Sequence, residues 1–248
     1  MVVAGMVGGP SLAGLGMAYS CDGNLDAFQQ RFFKRFDVGW YPILLLTAPM
    51  TILALLTLLA QIDPRFQPAL FTTTDPTPLL GMGLAYGTVA GLFEELGWSG
   101  FAVPYMLAQE TSEIITGLWV GLLWGLWHFN VAVWGSGGGG GDGGDDDSGR
   151  FRLELFLPWI PWNLAVLPIY RVVMVHVYKH TRSGWSMALM HGALTASLPI
   201  IFMPDVQGVL LAAFYTMLAF TFALILAGMR AFDARKHVVH HVKTEKTA

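Results

Sequence analysis

Long apolar stretches alternate with short polar connectors along most of the chain. Each stretch is close to the roughly 20 residues that cross a bilayer as a helix. The stretches lie at residues 1–20, 40–60, 79–104, 114–134, 153–176, 185–203 and 206–229. The pattern predicts an all-α, polytopic bundle of about seven transmembrane helices, of which the short, glycine-rich first is the weakest.

The connectors between these stretches differ in kind. The segment 21–36 has Phe28 and Phe32 at helical spacing beside basic residues, which is typical of an interfacial helix. Residues 135–149, GSGGGGGDGGDDDSG, cannot bury a core and predict a flexible loop. A calcium-binding Gly/Asp repeat is the alternative, but such repeats work in tandem arrays and only one irregular copy is present.

Composition supports a membrane protein. The 248 residues are 54% hydrophobic and 12% charged, with a mean hydropathy of +0.53, whereas a soluble domain carries about 25% charged residues. The net charge of -3, without a clustered basic face, gives no indication of a nucleic-acid partner. The single Cys21 excludes an intramolecular disulfide. The expected partner is the lipid bilayer.

Basic residues predict the orientation. With about seven crossings, three basic clusters fall on one side, which the positive-inside rule makes cytoplasmic. Their members are Arg31, Lys34, Arg35, Arg171, Lys179, Arg182, Arg230, Arg235, Lys236, Lys243 and Lys246. We therefore expect a multi-pass protein of a prokaryotic plasma membrane. Residues 1–230 would form the transmembrane domain and 231–248 a basic cytoplasmic tail, in which His237, His240 and His241 are solvated.

Two adjacent acids, Glu94 and Glu95, are the only charges of the stretch 79–104. A carboxylate at membrane depth costs about 2–3 kcal/mol even on lenient scales, so the pair indicates a function. His128 and His191 are the single ionisable groups of two further stretches, and we expect no other centrally placed charge in any span. Such groups face a bundle interior and pair there, which predicts one buried polar cavity on the cytoplasmic side.

Helical spacing refines this cavity. Residues four apart share a helix face, so His128 lies with Trp124, and His191 with Thr195. The two glutamates are about 100° apart around their helix, so only one can point squarely at the site. For each histidine alone, a simple hydrogen bond to a neighbouring carbonyl is the alternative. Asn130 and Asn163 could each join the cavity or bridge helices.

Three short motifs resemble a known family, the CAAX-protease and bacteriocin-processing group of intramembrane proteases, which includes the Ras-converting CAAX endoprotease. FEELGWSGFAVP is similar to the family's EExxxR motif, WGLWH to FxxxH and HGALT to HxxxN, in the same order and within the core 79–204. The resemblance implies that Glu94 and His128 polarise the attacking water. It further implies that His191 and Thr195 stabilise the oxyanion and that Glu95 orients the assembly.

The chain departs from the family pattern at three positions. Ser99 stands where the family has Arg and loses a fixed cation, while Thr195 replaces Asn and Trp124 replaces Phe. Weakened or absent catalysis is therefore an alternative, as a binding or immunity protein of the same fold. A proton-coupled transporter is another alternative, although internal repeats are not visible.

A peptidase of this kind would need no cofactor. No HExxH motif is present, so a metal-free reaction is expected, with zinc on Glu94, His128 and His191 as the alternative. Because the catalytic groups are expected to lie within the bilayer, the expected substrate is a membrane-associated peptide or protein. It could also be lipid-modified.

Overall fold

The computed structural model describes the backbone of residues 2–134 and 156–245 and the side chains of residues 5–128 and 156–236. The helices are α1 (Val2–Asp22), α2 (Asp26–Phe32), α3 (Tyr41–Ala60), α4 (Ala69–Thr72), α5 (Thr77–Gly97), α6 (Val103–Ala108), α7 (Glu113–Trp134), α8 (Trp159–Thr181), α9 (Gly184–Ala196) and α10 (Gly208–Glu245). In these ranges β pairing is limited to one isolated bridge. The prediction of an all-α bundle is confirmed, and the Gly/Asp loop at 135–149 lies outside the described residues.

Three of the described helices are long and apolar enough to cross a membrane: Val38–Ala60, Trp159–Thr181 and Gly208–Lys236. The chain is an integral membrane protein, and about seven crossings stays a prediction. The helix bounds differ from several of the predicted stretches; α5, for example, ends at Gly97 rather than 104. α8 runs to Thr181 rather than 176, and α10 continues past the predicted domain boundary at 230.

The three long helices have different places in the bundle. Of the apolar window of α8, 67% is buried, against 22% for the window that contains α3 and 28% for that of α10. Large apolar side chains such as Met50 of α3 and Phe220 of α10 are mostly exposed. An outer apolar surface suits lipid contact. α8 is therefore the central helix, while α3 and α10 form part of the outer surface.

Glycines at a spacing of four bring α5 against α9. Gly83, Gly87 and Gly91 share one face of α5. A Cβ atom on Gly91 would lie 2.4 Å from the carbonyl oxygen of Ala188, and one on Gly87 would lie 2.5 Å from that of Gly192. The two backbones are thus in direct contact, as small residues permit between membrane helices. This contact sets Glu94 and Glu95 of α5 beside His191 of α9.

A second glycine face joins α7 to α8. Gly117, Gly121 and Gly125 follow the same spacing on α7. A Cβ atom on Gly125 would lie 2.0 Å from the carbonyl oxygen of Asn163, and one on Gly121 would lie 2.4 Å from Cα of Pro168. Because of this close approach, the turn of α7 that contains Trp124 packs directly against the central helix α8.

Within the described ranges, three single turns of π-helix interrupt the regular helices, at Trp98–Ala102, Trp162–Val166 and Ser197–Ile201. The first follows α5 directly, and the third follows α9. A π turn opens the regular hydrogen-bond ladder and is frequent at functional sites. The first turn also contains Ser99, one of the three positions at which the sequence departs from the family pattern.

Candidate active site

A cavity of about 500 Å³ lies among the helices and contains four of the five residues predicted to form the site. Glu94, His128, His191 and Thr195 all line it, together with Trp124. The remaining wall is chiefly apolar, and includes Tyr86, Val89, Leu194, Leu198, Leu211 and Tyr215. The structure therefore brings together ionisable groups from three separate helices inside an apolar chamber.

Trp124 connects the polar groups of this chamber. Its Nε1–H donates to Oε2 of Glu94 at 2.9 Å. Its ring meets the imidazole of His191 edge to face at 4.6 Å between centroids, and that of His128 in the same way at 5.8 Å. The carboxylate of Glu94 is 1% exposed, so a hydrogen bond to it is needed to offset its burial. Trp124 thus orients Glu94 as well as forming an aromatic wall.

Glu95 does not belong to the cavity lining and lies behind it. Its Oε1 is 2.8 Å from Nδ1 of His191, and its Oε2 is 2.7 Å from Nη1 of Arg171 and also accepts the hydroxyl of Ser99. Glu95 is fully buried. A buried carboxylate persists only when it is paired and hydrogen-bonded, and this one has three partners on three helical segments. It holds α5, α8 and α9 together beneath the cavity.

The expectation that no other span has a centrally placed charge is wrong, because Arg171 is such a charge. Its side chain is fully buried in α8, and its guanidinium carbon lies 4.3 Å from the ring centroid of Trp124. The predicted span ended at 176, which put Arg171 close to the basic connector, whereas the helix extends to Thr181. The signal that could have found it was a lone arginine inside an apolar stretch. Arg171 also supplies Glu95 with a cation, which Ser99, in the position of the motif arginine, cannot do.

The hydrogen bonds define how the two histidines are held. Nδ1 of His128 lies 2.9 Å from the carbonyl oxygen of Trp124, an acceptor, so this nitrogen carries the hydrogen. Nδ1 of His191 donates in the same way to the carboxylate of Glu95. The carbonyl contact expected as the alternative for a single histidine is thus present at His128. It uses Nδ1 and leaves Nε2 for chemistry in the cavity.

The two asparagines named from the sequence do not contribute described contacts to the cavity. Asn163 is 5% exposed and donates from Nδ2 to the carbonyl oxygen of Trp159 at 2.9 Å, one turn earlier in α8. The side chain of Asn130 lies outside the described residues. Asn163 therefore bonds within its own helix, from inside the π turn Trp162–Val166.

The alternative zinc ligands, Glu94, His128 and His191, share a cavity wall but do not form a close ligand group. Within the described side chains, the one group of three whose ligand atoms all lie within 4.8 Å of one another is at the other end of α8, away from this set. Nδ1 of both cavity histidines is engaged by protein acceptors. Whether the reaction depends on a metal stays a prediction.

Comparison with known proteins identifies a family. Residues 76–197 match the family model described as type II CAAX prenyl endopeptidase Rce1-like. The matched segment contains all three motifs, so the family resemblance stated from them is confirmed. No curated protein matches the chain. The family is one of proteases, which supports peptidase activity in general.

Proposed function

The chain belongs, over residues 76–197, to the Rce1-like family of type II CAAX prenyl endopeptidases, and we propose that it is an intramembrane endopeptidase that hydrolyses a membrane-associated peptide with water activated by Glu94 and His128. The observation that carries the proposal is the shared cavity, in which a buried carboxylate and two imidazoles line an otherwise apolar wall. Catalysis of peptide hydrolysis needs a base and a donor for the developing negative charge, and this chamber contains both kinds of group.

The two glutamates have different environments and therefore different roles. Glu95 is neutralised by Arg171 and accepts hydrogen bonds from His191 and Ser99, which makes it a poor base. Glu94 lines the cavity and has the uncharged Trp124 indole as its donor. Adjacent titratable groups whose surroundings differ in this way commonly divide acid–base and orienting work. We assign the base to Glu94 and the positioning role to Glu95.

The reaction balances without a covalent enzyme intermediate. Glu94 takes a proton from the water, with Nε2 of His128 as the second acceptor that orients it, while the water oxygen bonds to the carbonyl carbon. Nε2–H of His191 and the hydroxyl of Thr195 donate to the resulting oxyanion. The C–N bond then breaks, and the leaving amine takes the proton from Glu94.

Glu95 makes the donor role of His191 possible. For Nε2 of His191 to donate while Nδ1–H is bonded to Glu95, the ring must carry both protons before the water attacks and keep them throughout, so His191 neither gains nor loses a proton in the reaction. A carboxylate at Nδ1 stabilises that charge and fixes the ring, as in other carboxylate–histidine pairs. The reaction can therefore proceed without a metal ion.

The apolar wall indicates the substrate class. A cavity of about 500 Å³ lined mainly by aliphatic and aromatic residues accepts a large apolar group beside the scissile bond. An extended apolar side chain or an attached lipid both satisfy this requirement. The proposed substrate is a membrane-associated peptide or protein, lipid-modified forms included.

A catalytically silent relative is the competing proposal. It rested on Ser99, which removes the motif cation. Arg171 contacts Glu95 from α8 and supplies a guanidinium at that carboxylate, which favours an active site over a silent one.

The experiment is cleavage of a quenched peptide library, with and without attached prenyl groups, by the purified protein in detergent. The comparison is wild type, Glu94→Gln and Glu110→Gln, because Glu110 is an exposed glutamate that provides a matched control. We expect cleavage in wild type and Glu110→Gln and a loss of about 10²–10⁴-fold in Glu94→Gln, unchanged by chelator. No wild-type cleavage of any substrate by folded protein would overturn the proposal, and cleavage abolished by chelator would overturn its metal-free mechanism.

A further inference from the structure

A second polar cluster lies at the C-terminal end of α8, separate from the cavity residues. His176 and His180 are four residues apart and share one face of α8. Asp233 of α10 lies against both rings. His176 is buried, Asp233 is half-buried and His180 is exposed, so the cluster lies at the protein surface with one histidine inside it.

The distances within the cluster suit a metal ion. Oδ2 of Asp233 is 3.3 Å from Nε2 of His176 and 2.8 Å from Nε2 of His180. All three ligand atoms lie within 4.8 Å of one another. Around a tetrahedral zinc ion with bonds of about 2.0–2.1 Å, neighbouring ligand atoms are roughly 3.3 Å apart. The separation between Asp233 and His176 already has this value. The separation between Asp233 and His180 needs to increase only slightly when an ion replaces their hydrogen bond.

Each imidazole ring has a further partner besides Asp233. Oε2 of Glu113, the first residue of α7, lies 3.4 Å from Nδ1 of His176. The indole of Trp40 stacks on the ring of His180 at 5.3 Å with 26° between the planes. A carboxylate on the far nitrogen of a histidine is a common outer partner of a metal ligand, since it fixes the ring and raises its basicity.

The surrounding charges leave Asp233 as the anionic ligand. Lys179 and Arg230 place their cationic groups 3.1 Å and 3.2 Å from the oxygens of Glu113. Glu113 is thus paired with two cations, and the three groups together carry one positive charge. A divalent ion at the two Nε2 atoms would therefore take its counter-charge from Asp233.

From this arrangement we propose that His176, His180 and Asp233 bind one divalent transition-metal ion of the zinc class and so clip α10 to α8. Imidazole and carboxylate ligands suit zinc, cobalt and nickel. Three protein ligands leave a fourth position for water. The site shares no residue with Glu94, His128 and His191, so its occupancy is independent of the proposed peptidase mechanism.

The competing account is an ion-pair network without metal, in which a protonated His176 lies between Glu113 and Asp233. The two accounts differ in stoichiometry and in spectrum. A metal site takes up one ion per chain, and cobalt in a tetrahedral site of two imidazoles and oxygen absorbs strongly in the visible range, whereas octahedral cobalt absorbs weakly.

The experiment uses the full chain in detergent without an affinity tag, titrated first with zinc chloride by calorimetry and then with cobalt chloride by absorption. The variants are His180→Asn and Asp233→Asn, with Glu113→Gln as an outer-partner variant. A triple variant of His237, His240 and His241 to Asn controls for binding by the tail. We expect one ion per wild-type chain, more than about 100-fold weaker binding in the two ligand variants and about 10–100-fold weaker binding in Glu113→Gln, with no change in the tail variant.

Thermal unfolding separates loss of the site from loss of the fold. Zinc should raise the Tm of wild type and of the tail variant and leave that of Asp233→Asn unchanged. If a ligand variant does not fold, the wild-type cobalt spectrum and the weakened Glu113→Gln titration decide. Equal binding by wild type and the ligand variants, an octahedral cobalt spectrum, or binding abolished in the tail variant would each overturn the proposal.

Discussion

Nη1 of Arg171 and Oε2 of Glu95 form an ion pair of 2.7 Å between two fully buried side chains, one on the central helix and one on the helix of the paired glutamates. Removing one partner of such a pair leaves an uncompensated buried charge, which costs about 3–5 kcal/mol. Removing both costs much less, since no charge is left unpaired. The pair therefore predicts strong coupling between the two positions.

Arg171→Met and Glu95→Gln are each expected to destabilise the protein by about 3–5 kcal/mol. The double variant should be more stable than the sum of the two losses indicates. Unfolding in mixed detergent, arranged as a double-mutant cycle, measures this coupling. Additive effects would show that the pair contributes little to the fold.

Glu94→Gln is expected to separate catalysis from stability. Gln can still accept the Trp124 indole N–H through its amide oxygen, so packing is retained and the base is lost. Peptide cleavage should fall by about 10²–10⁴-fold, with an unfolding free energy within about 1 kcal/mol of wild type. A Glu94→Gln protein as destabilised as Glu95→Gln would contradict the division of roles between the two carboxylates.

Thr195 is predicted to donate to the oxyanion. Thr195→Val keeps the shape and removes the hydroxyl, so kcat should fall by about 10²–10³-fold with little change in KM. Thr195→Asn restores a donor of the type found in the family motif and should retain activity. Steady-state kinetics of the two variants test this role of the Thr195 hydroxyl. Equal activity of Thr195→Val and wild type would show that another group donates to the oxyanion.

Gly91 and Gly81 lie on the same helix and give a matched comparison. A Cβ atom on Gly91 would meet the backbone oxygen of Ala188 at 2.4 Å, while one on Gly81 would have no atom within 4 Å. Gly91→Ala should destabilise by about 1–3 kcal/mol and reduce cleavage, because α5 and α9 must separate. Gly81→Ala should be neutral or stabilise by up to about 1 kcal/mol. Similar Tm values for the two variants would contradict the direct backbone contact.

Asp75 precedes α5 and predicts a pH dependence outside the membrane. The Thr77 N–H donates to its Oδ1 at 2.9 Å and lowers the pKa of the Asp75 carboxyl. A carboxyl whose pKa is lower in the folded than in the unfolded protein stabilises the fold above its unfolded-state pKa of about 3.9. This stabilisation is lost as the pH falls through the folded-state pKa. The Tm gap between wild type and Asp75→Ala should persist at neutral pH and narrow below about pH 4. Asp75→Asn, which accepts without titrating, should show no such narrowing.

Sequence patterns alone brought together most of the polar residues that line the cavity. The order of the three motifs identified the family, and the spacing of four put Thr195 with His191 and Trp124 with His128 on shared faces, where the cavity has them. The 100° between Glu94 and Glu95 also correctly required that only one of them line the cavity.

The missed features depend on contacts between helices. Arg171 and Glu95 are 76 positions apart in the chain, so their pairing follows from how α5 and α8 pack and not from local periodicity. The indole of Trp124 reaches Glu94 across 30 positions in the same way. The glycine spacing on α5 and α7 was, by contrast, a readable signal, because small residues four apart predict close helix contacts in membranes.

The buried Arg171 also bears on how the protein is made. An arginine at the centre of a membrane helix costs about 2.5–3.5 kcal/mol on insertion scales, so α8 inserts poorly when alone. The carboxylate that offsets this cost is on α5, which leaves the ribosome first. The order of synthesis therefore matters: Glu95 is made before its cation, and the arrival of α8 forms the ion pair that offsets the cost of inserting Arg171 and joins α8 to α5. A chain truncated before α8 would lack the buried cation that pairs with Glu95.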